Sequence, residues 1–185
     1  MSVRQPVGVV GAITPWNFPI AIPSWKIAPA LVCGNTVVFK PARDTPMLGQ
    51  RFVEIFAEAG LPAGVLNIVH GGGEQVGERL VKHPDVPLIS LTGSREVGIT
   101  TAQNGAAYLK HIHLELGGKN AIIVMDDADL DLAVEGIIWS AFGTSGQRCT
   151  AASRIVVHRS IHDDFVQQLQ KRAAEVGFDW PSLAP

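Results

Sequence analysis

Cys149 sits on a run of small and polar residues, Thr144-Ser145-Gly146-Gln147-Arg148-Cys149-Thr150. A thiol on such a loop, beside an arginine, can act as a nucleophile; the other reading is a packed thiol. Cys33, inside Ala30-Leu31-Val32-Cys33, is read as packed. Glu115 lies between Leu114 and Leu116, ahead of Gly117-Gly118. A carboxylate among apolar neighbours is poorly solvated when charged and holds a proton more readily, as a general base must. An edge-strand glutamate facing water is the alternative. Asn17, between Trp16 and Phe18-Pro19, could donate to a developing oxyanion or cap the following helix. Lys40 closes an apolar run before Pro41, where it could reach a ribose hydroxyl or a phosphate, or be merely solvated. His70-Gly71-Gly72-Gly73, with Gly77 beyond, is a glycine turn opening a helix whose N–H groups could meet a pyrophosphate. Its spacing departs from the GxGxxG dinucleotide fingerprint and by itself supports a turn more than a cofactor site.

These residues need elements to hold them. Short β-branched runs predict strands at 7–13, 36–40, 65–69 and 86–91. Between them, helices are predicted at 20–31, 46–59, 74–82 and 94–103. In the second of these, Met47, Leu48, Phe52, Ile55, Phe56 and Ala59 form an apolar stripe, and Gly60 stands at the C-terminal cap. This alternation implies crossover units, hence a parallel sheet with helices on both faces. Ligands then bind beyond the carboxyl ends of the strands, at 14–18, 40–44, 70–73 and 92–94. The rhythm changes after the alternating segment 111–116. Strands at 120–125 and 153–158, and helices at 129–142 and 162–176, make a second α/β region. The domain boundary is placed at Gly117-Gly118, giving units 1–116 and 117–185.

Composition narrows the function classes. The chain has 185 residues, with 15 Lys plus Arg against 17 Asp plus Glu, a formal charge of −2. That balance gives no footprint for nucleic acid or an anionic membrane. Apolar residues make up 46%, enough for a sizeable core, while only 17% are charged against a typical ~25%. Surfaces meant for other segments or subunits are therefore expected. Two cysteines with no CxxC or Cys/His cluster give no support for a metal site. With no signal-peptide pattern and no apolar run of ~18 residues, a cytoplasmic location is expected.

Five ordered motifs then carry a resemblance: Pro6-Val7-Gly8-Val9 through Thr14-Pro15-Trp16-Asn17-Phe18-Pro19; Gly34-Asn35-Thr36-Val37-Val38-Phe39-Lys40-Pro41; Leu91-Thr92-Gly93-Ser94; Leu114-Glu115-Leu116-Gly117-Gly118-Lys119; and Gly146-Gln147-Arg148-Cys149. Together they resemble the NAD(P)-dependent aldehyde dehydrogenase superfamily, from about Gln5 to Val176. The resemblance implies a Rossmann-like parallel sheet followed by the start of a second, catalytic α/β domain. It implies that Cys149 attacks an aldehyde to form a thiohemiacetal, and that the Asn17 side chain and the Cys149 N–H hold the oxyanion. Hydride passes to the nicotinamide, and Glu115 activates water to hydrolyse the thioester. Ile13, Thr14, Pro15 and Trp16 would line the cofactor cleft, Lys40 would hold the adenosine ribose, and Gly73 and Gly77 would lie along the adenine. Thr92, Gly93 and Ser94 match the pyrophosphate site, with Val97 and Leu116 nearby. Phe18, Ile22 and Trp25 fall where relatives wall the substrate tunnel.

Departures from the family pattern shape the rest. Arg43 stands where NAD-preferring relatives commonly carry a glutamate, so NADP is expected to serve at least as well as NAD. Arg148 beside the nucleophile suggests an aldehyde bearing a carboxylate. Relatives are much longer, so this segment is expected to be internal and inactive alone, with homo-oligomers formed by the full-length protein. The tail 177–185 is read as leaving the family pattern. A catalytically silent nucleotide-binding fragment is the alternative. A cysteine hydrolase ranks lower, because none of His70, His83, His111, His113, His158 or His162 stands in a recognisable pairing with Cys149.

Overall fold

The computed structural model describes residues 1–176, and the divergent tail 177–185 lies outside the described residues. The chain forms two compact units, the first Met1–Leu116 and the second beginning at Gly117.

The first unit is a five-stranded sheet: β1 (Val9–Ile13), β2 (Thr36–Lys40), β3 (Leu66–Ile68), β4 (Leu88–Gly93) and β5 (His111–Leu116). Its spatial order is β3-β2-β1-β4-β5, and every pairing is parallel. The helices are α1 (Ala21–Val32), α2 (Pro46–Glu58), α3 (Glu78–Lys82) and α4 (Arg95–Ala106). Strand alternation sorts the side chains onto two faces. Val10, Ala12, Val37, Phe39 and Leu66 meet Ile27 of α1 and Phe52 of α2. Ile89, Leu91, Ile112 and Leu114 meet Leu80 and Val81 of α3. Helices thus lie on both faces, and the chain reverses direction across the sheet between β1 and β4, the topological switch point of such a fold.

Several boundaries differ from the sequence reading, each for a physical reason. Thr92 and Gly93 are the last residues of β4, not a post-strand turn, because both pair with β5 opposite Glu115 and Leu116. Val86 is instead in a turn, donating to the His83 carbonyl at 3.2 Å. The helix read over 74–82 starts as a wide π-type turn, Gly73–Gly77, before α3 begins. On α2 the buried stripe is Gly49 and Phe52 with Val53 and Phe56, while Met47, Leu48 and Ile55 are exposed. Gly49 turns the stripe, because Pro41 packs so close that a Cβ there would lie 2.7 Å from the ring. Gly60 does close α2: its N–H reaches Ala57 O and that of Leu61 reaches Phe56 O, a Schellman pairing. Cys33 is exposed at the C-terminal cap of α1, not packed.

The second unit is a β–α–β crossover with an added helix. Strands β6 (Asn120–Val124) and β7 (Ala152–Val157) pair in parallel, joined through α5 (Leu130–Phe142). The final helix is α6 (His162–Glu175). Asp129 caps α5 by accepting the Leu132 N–H at 3.1 Å. Val124, Val134, Ile137, Ile138 and Phe165 form the core. The opposite strand face carries Ile123 and Val156, 68% and 54% exposed.

Candidate active site

In the first unit every strand runs the same way, so all five carboxyl ends lie along one edge. That edge collects Ile13 at the end of β1 and Thr14 just after it, Lys40 at the end of β2, Gly93 and Ser94 at the end of β4 and Leu116 at the end of β5. Thr14 is pinned by its N–H to Lys40 O at 3.2 Å. Its hydroxyl is buried with no hydrogen-bond partner among the described residues. Lys40 is only 5% exposed and its Nζ donates to Pro41 O at 3.0 Å. Its stem runs past Gly77, where a Cβ would lie 3.7 Å from Lys40 Cδ. Burial, and then the charge of Arg43, hold its ammonium below the ordinary lysine pKa. Arg43 itself is exposed. Ser94 caps α4, accepting the Val97 N–H at 3.3 Å, and Val97 is exposed. Gly73 is exposed in the wide turn that leads to Gly77. The donor set along this edge, an ammonium, a guanidinium and the capped N-terminus of a twelve-residue helix, suits an anionic nucleotide.

Ahead of α1 the chain bends through Trp16, Asn17 and Phe18. Ile20 is the N-cap of α1, so Asn17 is not that helix's cap. Asn17, Pro15 and Phe18 are half-buried, and Trp16 and Trp25 are exposed. Ile22, read as a tunnel wall, is buried in the unit at 4% exposure, because the helix turns it inward. Glu115 is exposed on β5, an edge strand, so the expected desolvation is absent and the water-facing alternative describes it. Lys26 of α1 reaches across to β4. Its Nζ donates to Ser90 Oγ at 3.1 Å. Burial lowers its pKa, and the nearby Glu115 carboxylate partly opposes that. One lysine in a helical apolar stripe carries no sequence signal for such a role.

In the second unit, Cys149 is an exposed free thiol. The loop before it is strained: Thr144, Ser145 and Gly146 all have positive φ, 57°, 54° and 68°. Such conformations in non-glycine residues cost about 1–3 kcal/mol each and persist where surrounding contacts enforce them. Arg148 supplies part of that enforcement. Its Nη2 donates to Trp139 O at 2.6 Å and Ser140 O at 3.1 Å, and its guanidinium lies 4.1 Å from the Trp139 ring centroid. This corrects the expectation that Arg148 faces a substrate carboxylate. The last carbonyls of α5 stand at the negative end of a helix and attract the cation. From the other side, Asn120 Nδ2 donates to Cys149 O at 2.6 Å and Ala151 O at 3.2 Å. The sequence marks Asn120 only as the start of a strand. Of the histidines, His158 bonds Ser160 and His162 bonds Asp163, both local pairs.

A profile of the Aldehyde dehydrogenase family matches residues 1–183, including most of the tail that the sequence reading set apart. The chain belongs to the aldehyde dehydrogenase family. An alpha-ketoglutaric semialdehyde dehydrogenase of Bacillus subtilis is 49% identical over 175 residues, covering 95% of this chain and 36% of that protein. An NADP-dependent enzyme of E. coli superposes with a TM-score of 0.89 at 46% identity, over 91% of this chain and 35% of that one. Betaine aldehyde dehydrogenase from Staphylococcus aureus, solved with NAD+, gives 0.90 at 45% identity, over 92% and 34%. The chain thus spans about a third of the length of these relatives. Among the described residues no helix is long and apolar enough to cross a membrane.

Proposed function

We propose that this chain carries the cofactor edge and the nucleophile of an NAD(P)-dependent aldehyde dehydrogenase. The observation that carries the reading is the convergence, on one edge of the parallel sheet, of Thr14, Lys40, Gly93 and Ser94 with Arg43 beyond them. Lys40 and Arg43 bind the adenosine ribose and its 2′-substituent, and the N-terminus of α4, with Ser94, Thr92 and Gly93, takes the pyrophosphate. Ile13, Pro15, Trp16, Gly73, Gly77, Val97 and Leu116 complete the cleft. When bound, the nicotinamide accepts a hydride.

The thiolate of Cys149 forms a bond to the aldehyde carbon, and the carbonyl π electrons move to oxygen. Asn17 Nδ2 and the Cys149 N–H are assigned to that oxyanion by the family resemblance. Loss of hydride from the same carbon leaves a thioester. Glu115 takes a proton from water, whose oxygen attacks the thioester, breaks the C–S bond and frees the acid and the thiol. Phe18 and Trp25 wall the substrate. The Arg43 guanidinium favours NADP at least equally with NAD, because it can pair with a 2′-phosphate that a glutamate would repel. A cytoplasmic location and a homo-oligomer of the complete polypeptide belong to the same reading.

The test is reduced-cofactor formation by the longest natural polypeptide that contains this segment, with a panel of aldehydes. Cys149→Ala is expected to abolish it, by roughly 10⁴-fold or more. The 185-residue chain alone is expected to show no steady-state turnover. NADP titration together with an aldehyde-directed thiol probe separates this reading from a silent nucleotide-binding fragment, which would bind cofactor and leave Cys149 unlabelled. A preference for NAD of ~10²-fold in kcat/KM, about 2.7 kcal/mol, would overturn the NADP assignment.

A further inference from the structure

We infer that Asn120 is a positioning residue for the nucleophile, holding the Cys149 peptide in place from the neighbouring strand; this rests on the reading of Cys149 as the attacking thiol. Three observations in the second unit meet here. The first is the pair of donations from Asn120 Nδ2 to Cys149 O and Ala151 O, at 2.6 and 3.2 Å. One amide thus holds the carbonyls on both sides of Thr150. The second is a bulge. The parallel register steps from Asn120↔Ala152 directly to Ala121↔Arg154, leaving Ser153 without a counterpart. A bulge re-aims the side chain beside it and locally interrupts the ladder. The third is a tie on the other side of Asn120: Arg154 Nη2 donates to Lys119 O at 2.6 Å, anchoring the segment that leads into it.

The need for such a brace follows from the loop itself. Thr144 and Ser145 stand in left-handed conformations, so the approach to Cys149 has a relaxed alternative nearby. Arg148 fastens the loop to the end of α5, which is upstream of the thiol. The bond from Asn120 Nδ2 acts on Cys149's own carbonyl. The Cys149 carbonyl belongs to the residue whose Sγ must attack the substrate carbon while its N–H donates to the oxygen on that carbon. Displacing a reacting group by about 1 Å costs on the order of 10²-fold in rate. An amide is the right group for the position: it presents two N–H donors to two acceptors, whereas a carboxylate of the same shape would repel both.

The experiment compares Asn120→Asp and Asn120→Ser with the unmodified sequence, in the longest natural polypeptide that contains this segment. Single-turnover hydride transfer is expected to fall about 10- to 100-fold in Asn120→Asp. It is expected to recover partly in Asn120→Ser, whose hydroxyl retains one donor. Cofactor affinity, measured without aldehyde, should stay within about twofold, and alkylation of Cys149 by iodoacetamide in a Cys33→Ser background within about threefold, because the thiol remains exposed. A merely structural asparagine would lower the melting temperature and leave hydride transfer intact at temperatures well below it; that result overturns the inference. Equal hydride-transfer losses in both variants also overturn it, since the donor would then not be what matters. Cys149→Ala is run alongside. If that variant retains turnover, the nucleophile assignment has failed, whereas an inactive Cys149→Ala with a fully active Asn120→Asp refutes the positioning role alone.

Discussion

Lys40 and Cys149 are both assigned to the same reaction, yet they are held in opposite ways. Lys40 ends a regular strand in the interior of a five-stranded sheet, in register with Ile13 of β1. It is buried, and its environment already disfavours its charge. Cys149 is exposed, on a loop with three consecutive left-handed residues, beside a bulge in a two-stranded ladder. The difference teaches where precision comes from. In the first unit, regular structure places the group and tunes it by burial. In the second, irregular backbone is braced by side-chain donors to main-chain carbonyls.

If that contrast is right, small changes in backbone freedom should matter most in the second unit. Gly146→Ala is expected to have the largest effect. Gly146 has φ +68°, and an added Cβ would lie 2.8 Å from the Ala141 carbonyl oxygen, which cannot move without disturbing the end of α5. A loss of about 2–3 kcal/mol in the stability of the second unit is expected from strain and overpacking together. Chemical denaturation followed by Trp139 fluorescence would measure it. Gly49→Ala is the matched change in the first unit. Its Cβ would meet the Pro41 ring at 2.7 Å, but alanine regains up to about 1 kcal/mol of helix propensity, so a net loss nearer 1–2 kcal/mol is expected. An equal or larger effect at Gly49 would break the comparison.

The smallest effect concerns the charge of Lys40. Burial and Arg43 lower its pKa below the ordinary 10.5. Between the lowered value and 10.5 the folded chain holds fewer protons than the unfolded one, so stability rises with pH across that window. Binding of a 2′-phosphate needs the charged form and should run the other way, weakening as pH approaches the lowered value. Arg43→Ala removes the first-unit cation that helps depress Lys40. Calorimetric titration with NADP should then show weaker binding at neutral pH, with its alkaline decline moved to higher pH. A decline that does not move would show that burial alone sets the lysine.

Much of the first unit was legible because its signals are local. Thr36–Lys40 is a β-branched run bounded by Gly34-Asn35 and Pro41, and β2 has those bounds. Where local signals mislead, pairing decides: Thr92-Gly93 looks like a turn, yet β5 extends β4 through both. Glu115 shows the limit of reading a residue by its neighbours, since Leu114 and Leu116 face the side covered by α3, and the alternation sends Glu115 to the other face, where it is exposed. The second unit's site was legible only at Cys149. Arg148 and Asn120 act through main-chain oxygens, 8 to 9 residues away in the first case and 29 to 31 in the second. No residue pattern specifies which carbonyl a side chain will reach, and the bulge that aims Asn120 depends on the register of β6 against β7.

The face of that ladder turned away from α5 and α6 has one more consequence. Ile123 and Val156 lie exposed side by side there, in register, on a sheet that among the described residues has two strands and unpaired outer edges. An apolar face bounded by open edges favours self-association. The 185-residue chain should therefore be handled as a colloid with a sticky side: dilute, cold and promptly used.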